Sequence, residues 1–177
     1  MSPRESPQVA AVDASASLLR RLGAAIYELL LLTALAFITQ LELLPLASPG
    51  HTGAASALSV PPVAVRTFLF CVQFAVFALY LCWFWTRGRR TLAQKTWGLR
   101  LTTNTGGSLH RKRALLRYLA LWVGPALALV AWMPLAAIGH GGYAALLLAF
   151  NFLWAFGDRR RVFLHDRIAG TRVIDSR

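Results

Sequence analysis

The chain has 177 residues, 56% of them hydrophobic and 15% charged, with a mean hydropathy of +0.52 and a net charge of +12. So much apolar surface exceeds what one water-soluble core of this length hides, which excludes an ordinary soluble domain and points to a one-domain protein in a lipid bilayer. The basic surplus clusters in short segments flanking the apolar runs, where a membrane protein carries it, and this argues against nucleic acid as the partner.

Residues Met1 to Ser17 mix Ser, Pro, Ala and a few charges without hydrophobic period, and are expected to form a disordered cytoplasmic tail ahead of a membrane domain over 18–177. The first apolar run, Leu22 to Leu46, follows the Arg20-Arg21 pair. It is longer than the 7 to 15 residues of a signal peptide's apolar region. It therefore reads as an uncleaved first span. Ala47 to Pro62 is a Gly, Ser, Ala and Pro-rich loop without Lys or Arg, and Val63 to Trp85 is a second span closed by the aromatic cluster Trp83-Phe84-Trp85.

The main polar stretch, Thr86 to Arg113, holds eight basic residues. Within it, Gly98 to Thr103 and Asn104 to Leu109 read as a strand, a turn and a second strand. A third span, Ala114 to Ile138, carries Pro125 and Pro134 as kinks. The fourth, Gly139 to Gly157, has 19 residues and reaches about 28 Å as an α-helix.

Basic residues number three through Arg21, eight between spans two and three, and six after Gly157, with none in the loops after spans one and three. This bias places both termini and the middle loop in the cytoplasm and requires an even number of crossings. The expected fold is an all-α membrane protein of four transmembrane helices, with a small cytoplasmic cap made from the middle loop and the C-terminal segment. There Gly170 to Ile174 is strand-like and can pair with Leu99 to Thr103. Cys71 and Cys82 lie about 16 Å apart along one helix, beyond disulfide reach within the chain, and read as apolar filler.

Ionisable residues inside spans cost several kcal/mol unless paired or hydrated, so each is a candidate for function. Glu28 lies roughly 9 Å into the first run and Glu42 roughly 30 Å along it. With the expected topology, Glu28 and Arg117 share a depth near the cytoplasmic side, and Glu42 and Arg66 share the far interface. Two pairs are expected, Glu28 with Arg117 and Glu42 with Arg66. The second reads as structural, because both members can reach the interface. Arg21, Ala24 and Glu28 share one helix face, which Gly23, Ala24 and Ala25 thin for a neighbour. Gln73 and Asn151 read as interhelical hydrogen-bonding groups.

Four stretches carry a resemblance: Arg21-x-x-Ala24-x-x-x-Glu28, Trp83 to Leu101, Arg113 to Arg117, and the closing Leu164-His-Asp-Arg-Ile-Ala-Gly-Thr-Arg-Val173. Together they resemble the RDD family of bacterial membrane proteins, named for an arginine and two aspartates. The resemblance covers nearly all of the chain after residue 18 and implies that Arg21 is the arginine, that Glu28 stands at the first aspartate position, and that Asp166 is the second aspartate. Arg89-Arg90-Thr91-Leu92-Ala93 occupies the place of a turn that usually reads Gly-Gln-Thr-Leu-Gly. A bacterial inner membrane is the implied location, and transport is the usual suggestion for the family.

Asp166 is expected among basic residues, Arg167 with Arg21 or Arg100, either as a charge anchor or as a relay toward Glu28. His165 can titrate near neutral pH, but one His without a second His or Cys is a poor metal site. Neither a metal nor a cofactor is expected. No zinc-protease helix, nucleophile elbow or phosphate loop is present to suggest an enzyme. The function expected is that of a small transporter or transporter component exchanging a cation for protons, its pathway completed in a homo-oligomer. Glu28 would carry the exchangeable charge, and Arg117 or Arg21 would tune it. The competing reading is a non-transporting membrane scaffold in which these charges only fix helix packing.

Overall fold

The computed structural model describes residues 16–47 and 61–176. The expected N-terminal tail and the loop after the first span lie almost wholly outside the described residues. The chain is mostly helical. In order, α1 (Leu18–Ala47), α2 (Val63–Trp85), the short α3 (Leu92–Thr96), strand β1 (Leu99–Thr103), α4 (Arg111–Leu121) and α5 (Val123–Ala137) lead to a 3-10 segment, Gly141–Ala149. The last elements are α6 (Phe150–Gly157), α7 (Leu164–Ala169) and β2 (Thr171–Asp175).

Three helical stretches are long and apolar enough to cross a bilayer: Leu18–Leu46, Val63–Trp85 and Arg111–Ala137. Their outer surfaces confirm the class, because Leu29, Phe37, Leu79, Leu129, Val130 and Met133 are all exposed while Arg21, Arg117, Asn151 and Asp166 are buried. Water would not tolerate so continuous an apolar band, whereas lipid demands it.

The first helix begins one turn earlier than hydropathy suggests, so the two arginines belong to it. Arg20 forms an ion pair with Asp175 and also donates to the carbonyls of Trp97 and Gly98, tying the start of α1 to the end of β2. One turn on, the indole of Trp97 lies so close over Gly23 that any Cβ there would collide with the ring. The small residues of this face therefore do what their size permits, and the neighbour that approaches is the cap.

The cap is built on β1 and β2, antiparallel, with Leu101 opposite Val173. The expected hairpin does not form. Asn104 to Gly107 instead closes a tight turn, with Gly106 N–H donating to the Thr103 carbonyl at 2.9 Å and Thr103 N–H to that of Gly107 at 2.9 Å. Gly106 takes the positive φ of 86° that the turn requires. With the turn satisfying its own groups, β1 is free to take the C-terminal strand. A reciprocal capping box opens α3, as Gln94 N–H donates to Thr91 Oγ1 at 3.2 Å and Thr91 N–H to Gln94 Oε1 at 3.1 Å. Leu99, Leu101 and Val173 of the sheet then pack with Leu81 and Trp85 of α2 and Tyr118 of α4 in a single core.

The expected third span is broken at Trp122. Pro125 cannot donate to the carbonyl of Leu121, four residues back, so the ladder stops there. Asn151 supplies the missing donor: its Nδ2 reaches the Leu121 oxygen at 2.8 Å. Asn151→Ala is expected to cost ~1–3 kcal/mol, the penalty for orphaning a buried carbonyl. Adding Pro125→Ala restores a backbone N–H and should recover part of that loss, as read from unfolding titrations in micelles. Strictly additive losses would show that the two residues are not linked in this way.

The fourth apolar segment also departs from a plain helix. Nine of its residues wind as a 3-10 helix before α6, and its 17 residues fall short of the other three stretches. The slim winding suits its neighbour. At Gly124 of α5, a Cβ would lie 2.8 Å from the Leu147 carbonyl oxygen and 2.9 Å from that of Leu148. A 3-10 residue rises about 2.0 Å against about 1.5 Å in an α-helix, so Gly141–Gly157 extends ~30 Å.

Candidate functional site

Where α1, α4 and α6 meet the cap, polar side chains turn inward. Arg117 of α4 points its Nε and Nη2 at one oxygen of Asp166, Oδ1, each at 2.8 Å. Thr171, at the start of β2, donates to the same oxygen at 2.8 Å. The Arg117 guanidinium lies 4.4 Å over the ring of Trp85, whose face fits a desolvated planar cation. Asp166 is fully buried. Burial alone would raise its pKa, but the charge of Arg117, followed by His165 and the Thr171 hydroxyl, holds the carboxyl below the usual range.

His165 adjoins this pair, its Nε2 3.8 Å from Asp166 Oδ2. Phe163 stacks on its ring at 5.5 Å and Phe152 meets it edge-on at 5.9 Å. Burial pushes its pKa down to about 4; Asp166 opposes the shift and Arg117 adds to it. The ring is therefore neutral at pH 7.

Arg21 is buried as well. Its Nη2 donates to the carbonyl of Arg161 at 2.6 Å, and its guanidinium lies 5.3 Å over Phe163. Glu28, half-buried and two turns further along α1, accepts a hydrogen bond from Thr91 at 2.6 Å through Oε2. Tyr80 turns its hydroxyl to the same carboxylate as a second hydrogen-bonding group, while Oε1 remains without a partner among the described residues. Five buried atoms at this site have no hydrogen-bond partner among the described residues: Glu28 Oε1, Asn151 Oδ1, His165 Nδ1, Arg21 Nε and Asp166 Oδ2.

A cavity of about 330 Å³ joins these groups, lined by Arg21, Glu28, Arg117, Asn151 and His165 against walls of Leu, Phe and Trp side chains. Asp166 stands behind the wall, held by Arg117. Among the described residues no three His, Cys, Asp or Glu side chains gather in a metal-holding group. The chemistry on offer is charge and hydrogen bonding in an apolar chamber.

Thus Arg21, Glu28, Arg117, Asp166 and His165 converge on one region. The expected pairing within it is different. Arg117 shares the cavity with Glu28, but its carboxylate partner is Asp166, because α7 folds back and delivers that residue to the depth of Arg117. Arg167 pairs with Asp158 rather than with Asp166. The Val162 N–H, with those of Arg167 and Arg160, lowers the Asp158 pKa. Glu42 and Arg66 are both exposed and enter none of the ion pairs among the described residues, so the expected outer pair is not formed.

Thr91, Thr171, Trp85 and Tyr80 are the site residues that reading the sequence missed. For Thr91 there was a signal: Thr91-Leu-Ala-Gln94 is a capping-box pattern, which fixes a helix start and the direction of its threonine. Nothing comparable marks Thr171.

A family model described as the RDD family matches residues 15–170, so the match takes in every residue of this site except Thr171. No curated protein and no solved structure matches the chain.

Proposed function

The chain belongs to the RDD family, and on that premise we propose that it is a small inner-membrane transporter that exchanges a cation for a proton at Glu28. The observation that carries this reading is the state of the Glu28 carboxylate: Thr91 fixes one oxygen, and the other is buried without a partner at the cavity wall. A carboxylate so placed is neutralised by holding either a proton or a cation, and those are the two states an exchanger alternates between. Among the described residues no arginine hydrogen-bonds Glu28, which leaves its charge available at the cavity, whereas Asp166, although its Oδ2 is also unpartnered, is paired with Arg117 and does not line the cavity.

In this reading Gly141–Gly157 makes the fourth crossing, since its ~30 Å matches the hydrocarbon thickness. The basic segments then place both termini and the cap in the cytoplasm. Asp166 is a positioning residue that fixes Arg117, and a homo-oligomer supplies the outer half of the pathway.

Proteoliposomes holding a pH dye test the reading through proton exit on addition of external sodium, potassium or an organic cation. Glu28→Gln is expected to reduce that exit at least tenfold while the melting temperature stays near that of the native protein. Equal proton exit in both proteins, or none with any cation, overturns exchange at Glu28. The sealed Arg117–Asp166 pair would then mark a non-transporting scaffold.

A further inference from the structure

The cavity holds more information than the charge at its wall. Four of the unpartnered atoms belong to residues that line it, and three of these can accept a hydrogen bond. Glu28 Oε1 is one by its charge. Asn151 Oδ1 is another, because the amide nitrogen is committed to the Leu121 carbonyl at 2.8 Å and a flipped amide would set oxygen against oxygen. His165 Nδ1 is the third. It accepts in the tautomer that keeps the proton on Nε2, the nitrogen nearer Asp166, 3.8 Å from Oδ2 and so not hydrogen-bonded to it. Asn151 is 1% exposed and His165 3%, so both acceptors need a partner from within.

The arginines do not set the opposite polarity. Arg117 spends its Nε and Nη2 on Asp166 and its face on Trp85. Arg21 spends its Nη2 on the Arg161 carbonyl and lies over Phe163, leaving its Nε as the one fully buried unpartnered donor among the described residues that line the cavity. Around these groups the walls are apolar, with Leu29, Leu32, Phe77, Leu121 and Trp122 among them. A bare alkali or divalent cation wants several oxygen ligands, and such walls supply none. The volume, about 330 Å³, lies at the lower end of small-molecule pockets and is too small for a whole phospholipid.

We propose that the cavity binds a small apolar primary amine in its ammonium form, with the three N–H donors on Glu28, Asn151 and His165 and the hydrocarbon tail on the Leu and aromatic walls. This deepens the exchange reading by naming its cargo. The charge of the site then stays constant through the cycle. Arg21, Arg117 and Asp166 contribute one net positive charge, and the protonated Glu28 of the empty state adds none. In the loaded state ammonium and carboxylate cancel.

The test is tryptophan fluorescence of the purified protein in micelles, since Trp85 and Trp122 line the cavity, titrated with hexylamine, hexanol and hexanoate at pH 7. Hexylamine is expected to bind at least tenfold more tightly than either of the others. Within the n-alkylamines each added methylene should tighten binding about fourfold until the cavity is full. Glu28→Gln should weaken hexylamine at least tenfold, and Glu28→Asp, which restores the charge, should recover most of the affinity if both variants melt as the native protein does. Equal binding of hexylamine and hexanol, or affinity unchanged in Glu28→Gln, overturns the amine site. Tightest binding of hexanoate overturns it in favour of an anion on Arg21. Alkali cations that drive proton exit while hexylamine does not bind would overturn the cargo and leave exchange standing. Amine binding without proton exit for any cation would overturn exchange alone.

Discussion

Arg117→Leu should remove ~3–5 kcal/mol of stability, the cost of leaving a buried carboxylate without its cation. Asp166 Oδ1 takes both guanidinium contacts and has no route to water, because the residue is fully buried. Arg117→Lys should fail to rescue. An ammonium cannot present two N–H groups in the plane that Nε and Nη2 share, and it loses the flat contact with Trp85. The double variant Arg117→Leu with Asp166→Leu should recover much of the loss, since no charge is then left buried. Arg66→Leu is the control: exposed and in none of the ion pairs among the described residues, it should change stability by less than about 0.5 kcal/mol. Unfolding titrations in micelles, followed by tryptophan fluorescence, measure all four. If Arg117→Leu cost no more than Arg66→Leu, the pair would not be what docks α7 on the bundle.

The contrast between these two arginines shows where reading the sequence succeeds. Hydropathy placed Val63–Trp85 to the residue, because a long run of apolar residues between polar flanks has no other use in water or lipid. The strand at the C-terminus and its partner Leu99–Thr103 were also legible, through β-branched residues bounded by Gly98 and Gly170. The convergence of Arg21, Glu28 and Asp166 came from the family resemblance. Their bonds did not. Matching charges by depth assumed that a buried arginine finds its counter-ion on another span, and that logic joined Arg117 to Glu28. The chain instead carries a carboxylate into the bundle on α7, 49 residues from Arg117. Residues in the cap have no hydropathy signature that reports depth. The 3-10 winding of Gly141–Ala149 was hidden for a related reason: it answers to the close approach at Gly124, a tertiary fact, while its composition is that of an ordinary apolar helix.

Acidification from pH 7 to pH 4 should cost roughly 3 kcal/mol through His165 alone, the worth of a pKa lowered by burial from 6.5 to about 4. The sign follows from proton counting. Between those two values the unfolded chain binds a proton at this histidine and the folded chain does not, so stability is fully present above pH 6.5 and declines as pH falls. The neighbouring carboxylates act elsewhere. The pKa values of Asp166 and Asp158 are lowered from 3.8, so their contribution is lost only below that value, outside this window. His165→Leu removes the titrating group while keeping apolar contact with Phe152 and Phe163, and its melting temperature should be flatter than that of the native protein between pH 6.5 and 4. Parallel curves for the two proteins would mean that His165 takes up its proton while folded. A charged ring would then stand between two phenyl rings and beside Arg117, and only a cavity open to water could accommodate it. The pH profile thus reports on the dryness of the chamber on which the proposed amine site depends.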